Sequence, residues 1–371
     1  MVEKITSSSD ILNLGLDLSK KNIVITKDSQ SAVQFANFLN QPNALILDNS
    51  ELLPYDFFSM APVTRARRIS TLSAYLKEKE ITLISSIATL LSPVPQPIHV
   101  SPLNNLSVGD FFDPESVINE IILNGYTRED FVSLPGHYAL RGSVMDIFLT
   151  SGTEPIRIEF FNNQIESLRT FSPESQITHE KINHINFLPS YEYPLNRNSA
   201  EIFKKEWRNR FDLFEEDSEL FRRIMNLKHP EGAEIYFPLF YGTKSDFIPF
   251  LQYADQIYIQ DNVNKKAYDF EELVNQRYEE YRYDQKRPLL APEDLFLSMN
   301  ELSENIKDSL TFDIETDYSE TNENNIPKNE RKEKADISSS KMPDKGDLVV
   351  HLTHGIGKFL GLKQLKTFVG V

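Results

Sequence analysis

The sequence predicts an α/β protein with a parallel-sheet domain and a smaller α+β domain. In the first hundred residues, short apolar segments alternate with amphipathic segments in the order β-α-β-α-β. Apolar strands that alternate with helices are typical of a parallel sheet covered on both faces. From about Leu103 to Pro189, alternating segments separated by Gly and Asn-Asn indicate a hairpin-rich α+β region inserted into the first domain.

The first region has five predicted elements. Strands are expected at residues 23–26, 44–47 and 82–85, and helices at about 30–39 and 65–76. The strand segments are short and apolar, whereas the helical segments repeat apolar residues every three or four positions.

After Pro189 the pattern becomes helical again. Asn198-Ser-Ala-Glu201 has the form of an N-terminal capping box, and Phe203, Trp207 and Phe211 are spaced for one buried stripe. Two strands that could extend the first sheet and a long helix are predicted at residues 233–237, 256–259 and about 266–283.

Residues 156–168 predict a β-hairpin with one buried and one outward face. Arg157, Glu159 and Phe161 alternate with apolar residues and share the outward face. Asn162-Asn163 is predicted to form a two-residue turn, because Asn tolerates the positive φ that such turns require. Counting across the turn gives three cross-strand pairs: Phe161 with Gln164, Glu159 with Glu166, and Arg157 with Leu168.

The predicted outward face places Glu159 directly opposite Glu166. Like charges in cross-strand register destabilise a sheet, so a cationic group should lie nearby. Arg157 lies diagonal to Glu166, and Arg141, at the start of a neighbouring strand candidate, could reach the same surface. The face is either a docking surface or a self-neutralising polar surface with one exposed Phe, since single exposed apolar residues are common.

The segment around this hairpin resembles a known repair domain. It reads Leu-Pro-Gly-His-Tyr-Ala-Leu-Arg-Gly-Ser-Val-Met-Asp-Ile-Phe at 134–148 and Ile-Arg-Ile-Glu-Phe-Phe at 156–161. It is similar to the domain shared by the excision-repair protein UvrB and the bacterial transcription-repair-coupling factors, where this pattern marks the surface that binds UvrA. The resemblance implies UvrA-binding roles for Arg141, Arg157 and Phe161, whereas Glu159 and Glu166 are candidates on hairpin geometry alone.

Two further motifs favour the coupling factors over UvrB. Leu53-Pro-Tyr-Asp-Phe-Phe-Ser-Met-Ala-Pro, followed by Arg67-Arg-Ile-Ser-Thr-Leu, is similar to a segment of the coupling factors. Gly346-Asp-Leu-Val-Val-His-Leu-Thr-His-Gly-Ile-Gly-Lys-Phe resembles the opening of their CarD-like, RNA-polymerase-interacting domain.

The resemblance implies five regions. They are the two halves of a degenerate RecA/UvrB-like domain at 1–102 and 190–312, an inserted UvrA-binding domain at 103–189, a linker at 313–344 and a truncated polymerase-interacting domain at 345–371.

The predicted linker is rich in Asp, Glu, Asn, Lys and Ser and poor in apolar residues. Such a composition cannot bury enough surface to offset the entropy of ordering, which predicts a flexible, disordered segment. The strands expected after it stop before a small β domain could close. We therefore expect residues 345–371 to be incompletely folded and to bind RNA polymerase poorly.

Composition and charge exclude several classes of protein. The formal net charge of −16 argues against binding nucleic acid through a basic stripe and favours protein partners. Without Cys the chain has no disulfides or thiolate metal sites, and its start lacks the apolar core of a signal peptide. The uncharged segment at 81–109 is broken by prolines and cannot span a membrane. We therefore expect a cytoplasmic protein with no membrane partner.

No catalytic, metal-binding or cofactor-binding pattern is recognisable. A RecA-like motor needs a Gly-rich loop and a Lys directly after its first strand, but residues 23–26 are followed by Lys27-Asp-Ser-Gln-Ser. Gly355-Ile-Gly-Lys358 lacks the other residues of such a loop, and His351 and His354 would point to opposite faces of a strand. We expect no cofactor in this chain. The resemblance implies that the family's motor, a DNA translocase dependent on ATP and magnesium, lies beyond it.

The sequence therefore predicts an adaptor that recruits UvrA to stalled RNA polymerase in transcription-coupled nucleotide excision repair. Contact with DNA is expected only through the motor region. The alternatives are a UvrB-like damage-loading ATPase, which would need a phosphate loop and a basic DNA-facing surface, and a purely structural α/β interaction protein. Binding to UvrA would discriminate among the three.

Overall fold

The computed structural model describes residues 3–5, 15–101, 104–211, 218–284, 286–306, 309–314, 348–351 and 355–358. The chain divides into two compact units, Met1–Glu315 and Thr316–Val371. The first unit contains a parallel and a mainly antiparallel sheet, and the second contains a pair of short strands.

The predicted parallel sheet is confirmed. Its strands, numbered in chain order, are β1 (Glu3–Ile5), β2 (Lys21–Thr26), β3 (Ala44–Ile46), β4 (Ile81–Ser86), β13 (Gln256–Gln260) and β14 (Leu310–Ile314). Among the described residues they lie in the order β3-β4-β2-β13-β14-β1, with every neighbouring pair parallel. β2 and β4 are buried along their whole length, as expected for central strands of such a sheet.

Helices cover both faces of the parallel sheet, as predicted. α1 (Ser29–Leu39) packs on one face, where Phe35 contacts Phe312 with ring centroids 5.2 Å apart. The other face is covered by α2 (Pro62–Lys77), α3 (Ile87–Leu91) and α9 (Val263–Tyr281). The helices predicted at 30–39, 65–76 and 266–283 are confirmed to within three residues at each end.

β14 corrects the predicted domain boundary. The sequence predicts a linker from residue 313, but Asp313 and Ile314 lie in β14, whose Phe312 and Ile314 are buried. The sequence pattern of this strand is weak, because it has only two buried apolar residues and lies beside a polar segment. The rest of the predicted linker lies outside the described residues.

The strand predicted at 233–237 is wrong. These residues form a 3₁₀ helix, Ala233–Tyr236, which continues into α7 (Phe237–Tyr241). They are buried in an aromatic cluster with Phe203 and Trp207 rather than in a sheet. A short apolar run fits either environment, and its periodicity does not distinguish them.

The other helices in the described residues of the first unit are α4 (Pro114–Leu123), α5 (Arg197–Arg210), α6 (Glu219–Met225), α8 (Ile248–Leu251), α10 (Pro292–Leu295) and α11 (Met299–Asn305). The predicted capping box of α5 is shifted by two residues: Asn196 and Ser199 cap each other's amides in place of Asn198 and Glu201. The helix still buries Phe203 and Trp207, and Phe211 packs beside them, as predicted.

Residues between β4 and β13 form the second sheet, as the hairpin-rich sequence predicts. Its strands are β6 (Thr127–Arg128), β7 (His137–Arg141), β8 (Val144–Ile147), β9 (Ile156–Phe161), β10 (Gln164–Phe171) and β11 (Thr178–Ile182). They lie in chain order, and β7 to β11 are antiparallel. A separate pair, β5 (Asn104–Ser107) and β12 (His184–Phe187), packs with α4 against one face of this sheet.

The second unit contains an antiparallel pair, β15 (Leu348–His351) and β16 (Gly355–Lys358). These strands agree with the strand and glycine pattern of the sequence. His354 and the other predicted features of residues 345–371 lie outside the described residues. Within the described part of the chain, no helix is long and apolar enough to cross a membrane.

Candidate protein-docking surface

The β9–β10 hairpin has the turn and the faces that its sequence predicts. Asn162 and Asn163 have φ values of 48° and 60°, so both lie in the left-handed region that a two-residue hairpin turn requires. Ile156 and Ile158 are buried in the core, whereas Phe161 is 62% exposed. Arg157, Glu159 and Phe161 therefore share the face that points away from the core.

The predicted register is correct at the turn and wrong beyond it. Phe161 pairs with Gln164, but an irregularity between Ile165 and Ser167 leaves Glu166 without a partner in the ladder. Ile165 and Leu168 are both buried although they are three residues apart, which strict alternation does not allow. The bulge inserts one extra residue into β10, so that Ile165 and Leu168 both face the same core.

The bulge changes the charge of the outward face. Glu159 lies opposite Ser167, whose hydroxyl donates to its carboxylate at 2.5 Å, so the predicted pairing of Glu159 with Glu166 is wrong. Arg157 lies opposite Arg169 rather than Leu168, and Arg169 lies opposite Lys181 on β11. The face therefore carries a row of cations in place of two paired carboxylates.

Asp146 on β8 holds both arginines of the predicted site. Its buried carboxylate accepts from Arg157 Nε at 2.7 Å and Nη2 at 2.9 Å, and from Arg141 Nη1 at 3.1 Å. These hydrogen bonds are the main reason why the pKa of Arg157 is raised above its usual value. One buried acid thus fixes two guanidinium groups on the same face.

Aromatic rings and a backbone carbonyl complete the support of the two arginines. The Arg157 guanidinium lies over the ring of buried Phe171, with its central carbon 4.9 Å from the ring centroid. Arg141 lies over exposed Phe131 at 5.8 Å and donates to the carbonyl of Asp130. Stacking and hydrogen bonds together leave each planar group little rotational freedom.

The structure brings four of the five candidate residues onto one face: Arg141, Arg157, Glu159 and Phe161. Glu166 is exposed, but it lies at the bulge rather than in the predicted row. Sequence reasoning did not identify Asp146 as the residue that holds the arginines. Its signal was present, because the acid lies five residues after Arg141 within the same recognised segment.

Two arginines of α2 hold the segment where the chain returns from the second sheet. Arg68 donates to the Glu192 carboxylate at 2.6 Å through Nε and 3.2 Å through Nη2, and to the Asp48 carbonyl at 2.6 Å. Arg65 donates to the Ser190 carbonyl and stacks on Tyr191 at 3.9 Å. Contacts to three consecutive residues tie the end of this segment to the parallel-sheet part of the unit.

The carboxyl edge of β2, where a RecA-like protein would hold phosphate, is occupied by the chain's own side chains. Asp28 accepts from the Ser31 amide at 2.8 Å, which fills the N-terminus of α1 with a carboxylate. The Lys27 amide donates to Gln260 Oε1 at 2.9 Å. Among the described residues, no group of three or more His, Cys, Asp or Glu side chains is placed to hold a metal ion.

Comparison with known proteins gives two domain matches. The UvrB interaction domain matches residues 105–193, which include Arg141, Arg157 and Phe161, and the CarD-like/TRCF RID domain matches residues 344–369. The transcription-repair-coupling factor of Haemophilus influenzae is 28% identical over 84% of this chain, and that of Escherichia coli is 27% identical over 87%. In both cases the chain covers 28% of the relative's length.

Proposed function

We propose that this chain, which is similar to the bacterial transcription-repair-coupling factors, acts in transcription-coupled nucleotide excision repair by binding UvrA. The docking surface consists of Arg141, Arg157 and Phe161 together with Asp146, which holds the two arginines. In the resembling family, the first three positions belong to the surface that contacts UvrA.

The arrangement of Arg141, Asp146 and Arg157 is the observation that carries this proposal. An arginine that must bind a partner's carboxylate or carbonyl groups benefits from being fixed before the encounter, because less side-chain entropy is then lost on binding. Phe161 lies four residues after Arg157 on the same face of β9 and supplies an exposed apolar side chain. Aromatic and arginine side chains of this kind dominate the binding energy of many interfaces.

The remaining parts of the proposal follow from the family. We infer that the parallel-sheet part is a degenerate RecA/UvrB-like domain into which the UvrA-binding domain is inserted. We further propose that the region at 344–369 is part of a contact with RNA polymerase through which UvrA is joined to a stalled polymerase. As the sequence predicts, residues 345–371 by themselves should bind the polymerase poorly. ATP hydrolysis and DNA translocation belong to other regions of the family, and we expect the chain to act in the cytoplasm.

Binding to purified UvrA tests the proposal. Arg157→Ala and Phe161→Ala should each weaken binding by well over tenfold, because truncation of a central anchor costs about 2 kcal/mol or more. Arg282→Ala, which removes an exposed arginine at the C-terminal end of α9, and Ile177→Ala, which shortens an exposed apolar side chain, are matched controls.

The melting temperature and circular dichroism of each variant would show that the fold is intact. If Arg157→Ala and Phe161→Ala both bound UvrA as tightly as the parent chain, the proposed surface would be wrong.

A further inference from the structure

A segment before α4 adds a further edge to the hairpin. Phe111 forms an isolated antiparallel bridge with Gln164, and Gln164 in turn pairs with Phe161. Side chains directly opposite one another in a sheet project from the same face. Phe111, Gln164 and Phe161 therefore form one row across three adjacent backbone segments.

The neighbouring residues confirm this orientation. Phe112, next in sequence, is fully buried, and its ring centroid lies 4.9 Å from that of Phe160. Phe160 precedes Phe161 on β9, Ile165 follows Gln164 on β10, and both face the core. Phe112, Phe160 and Ile165 thus occupy the inner face, while the row of Phe111, Gln164 and Phe161 occupies the outer face.

Phe111 is 73% exposed, yet its backbone is firmly held. Gly109 donates to the Ile165 carbonyl at 2.8 Å, Ile165 donates to the Asp110 carbonyl at 3.0 Å, and Phe112 donates to the Asn163 carbonyl at 2.7 Å. Gln164 Nε2 also donates to the Gly109 carbonyl at 2.8 Å. Gly109 has a φ of 92°, which lets the chain turn into this close pairing.

We propose that Phe111 is a second aromatic anchor of the docking surface and binds the same partner as Phe161. The proposal rests on the proposed function, because it assigns UvrA as that partner. Neighbouring strands lie about 4.8 Å apart, so the backbones at Phe111 and Phe161 are separated by roughly 10 Å. That spacing allows one partner surface to contact both rings, with Gln164 between them.

Charge and apolar character together describe the matching surface on the partner. Arg141, Arg157, Arg169 and Lys181 lie on the same outer face, whose acids Asp146 and Glu159 are hydrogen-bonded within the face. Cations outnumber acids among these residues, although the whole chain has a net charge of −16. The partner should offer an apolar cleft for two phenyl rings with acidic groups to one side.

The proposal is tested with the full chain and purified UvrA in a direct binding titration. Phe111→Ala should weaken binding at least tenfold, whereas Phe111→Leu, which keeps an apolar side chain, should lose less. Ile177→Ala is the matched control, since Ile177 is 66% exposed and lies beyond the other end of β10. The melting temperature of Phe111→Ala should equal that of the parent chain.

The outcomes separate this inference from the proposed function. If Phe161→Ala weakened binding and Phe111→Ala did not, the second anchor would be refuted while the docking surface stood. If neither variant nor Arg157→Ala affected UvrA, the proposed function itself would fail. If Phe111→Ala changed self-association in sedimentation but not UvrA binding, the residue would contact a second copy of the chain, and the inference would be overturned.

Discussion

Two buried acids in this chain hold arginines, Glu192 one and Asp146 two, and the two groups differ in what they leave exposed. Glu192 and Arg68 are both 1% exposed. Asp146 is also 1% exposed, but its partners Arg157 and Arg141 are 23% and 50% exposed. The first pair is closed within the protein, whereas the second keeps its cations at the surface.

The donors of the guanidinium groups explain the difference. Arg68 uses Nε, Nη1 and Nη2 on groups of its own chain. Asp146 is shared by two arginines, and Arg157 donates to it only through Nε and Nη2. Because a guanidinium has five N–H donors, Arg157 retains some for a partner. The buried acid under partly exposed arginines therefore supports the proposed binding surface, while the fully buried pair has donors only for its own chain.

The largest effect is expected from breaking the closed pair. Glu192→Ala leaves the Arg68 charge buried and unpaired, which should lower the free energy of unfolding by about 3–5 kcal/mol. Chemical denaturation measures this change. Lys266→Ala breaks an exposed ion pair with Asp269 and, as the control, should change stability by less than about 1 kcal/mol.

A double variant sharpens this interpretation. Arg68→Met combined with Glu192→Leu removes both charges and should recover most of the stability lost in Glu192→Ala, because well-packed apolar residues often replace a buried ion pair without loss. At temperatures where the variants are folded, their UvrA affinity should match that of the parent chain. If the Arg68–Glu192 pair also contributed to binding, the double variant would bind UvrA more weakly than the parent chain.

A smaller effect, mainly on binding, is expected at the open pair. Asp146→Asn keeps the shape of the side chain but removes the charge that orients Arg141 and Arg157. We expect UvrA binding to weaken by about 1 kcal/mol, roughly fivefold, since both arginines remain present but are less fixed.

The stability cost of Asp146→Asn should be below that of Glu192→Ala, because Arg141 and Arg157 can turn towards water. Titration of UvrA and a denaturation curve on the same sample provide both numbers. Unchanged affinity in Asp146→Asn would show that fixing the arginines does not matter for binding.

The difference between local patterns and long-range contacts explains which features the sequence could predict. The alternation of Arg157, Glu159 and Phe161 and the Asn162-Asn163 turn are local patterns, and both are confirmed. The bulge at Glu166 depends on Ile165 and Leu168 reaching one core, so counting from the turn gave the wrong partners beyond it.

Features that depend on distant segments were missed for the same reason. Phe111 joins the docking face through a bridge to Gln164, 53 positions along the chain, and no periodicity in either segment indicates it. β14 pairs with β13 and β1, which lie far away in sequence. The parallel sheet itself was predictable, because continuous apolar strands alternating with helices carry its pattern locally.

The smallest effect, no change at all, is expected when ATP is added. The N-terminus of α1 is the position where a phosphate would profit from free amides and the helix dipole, but Asp28 already accepts from the Ser31 amide there and repels a second anion. A ligand at about a hundredfold excess over its Kd would raise the free energy of unfolding by about 2.7 kcal/mol, so thermal unfolding is a sensitive measurement.

With millimolar ATP and magnesium, the melting temperature should equal that in magnesium and inorganic phosphate alone. Asp28→Ser, which keeps a capping oxygen but removes the charge, should behave in the same way, because residues 27–31 still lack the glycines that close around phosphate. A clear ATP-dependent rise in the parent chain would show that this edge of the sheet remains open to nucleotide and would erase the contrast between a closed parallel-sheet part and an open docking face.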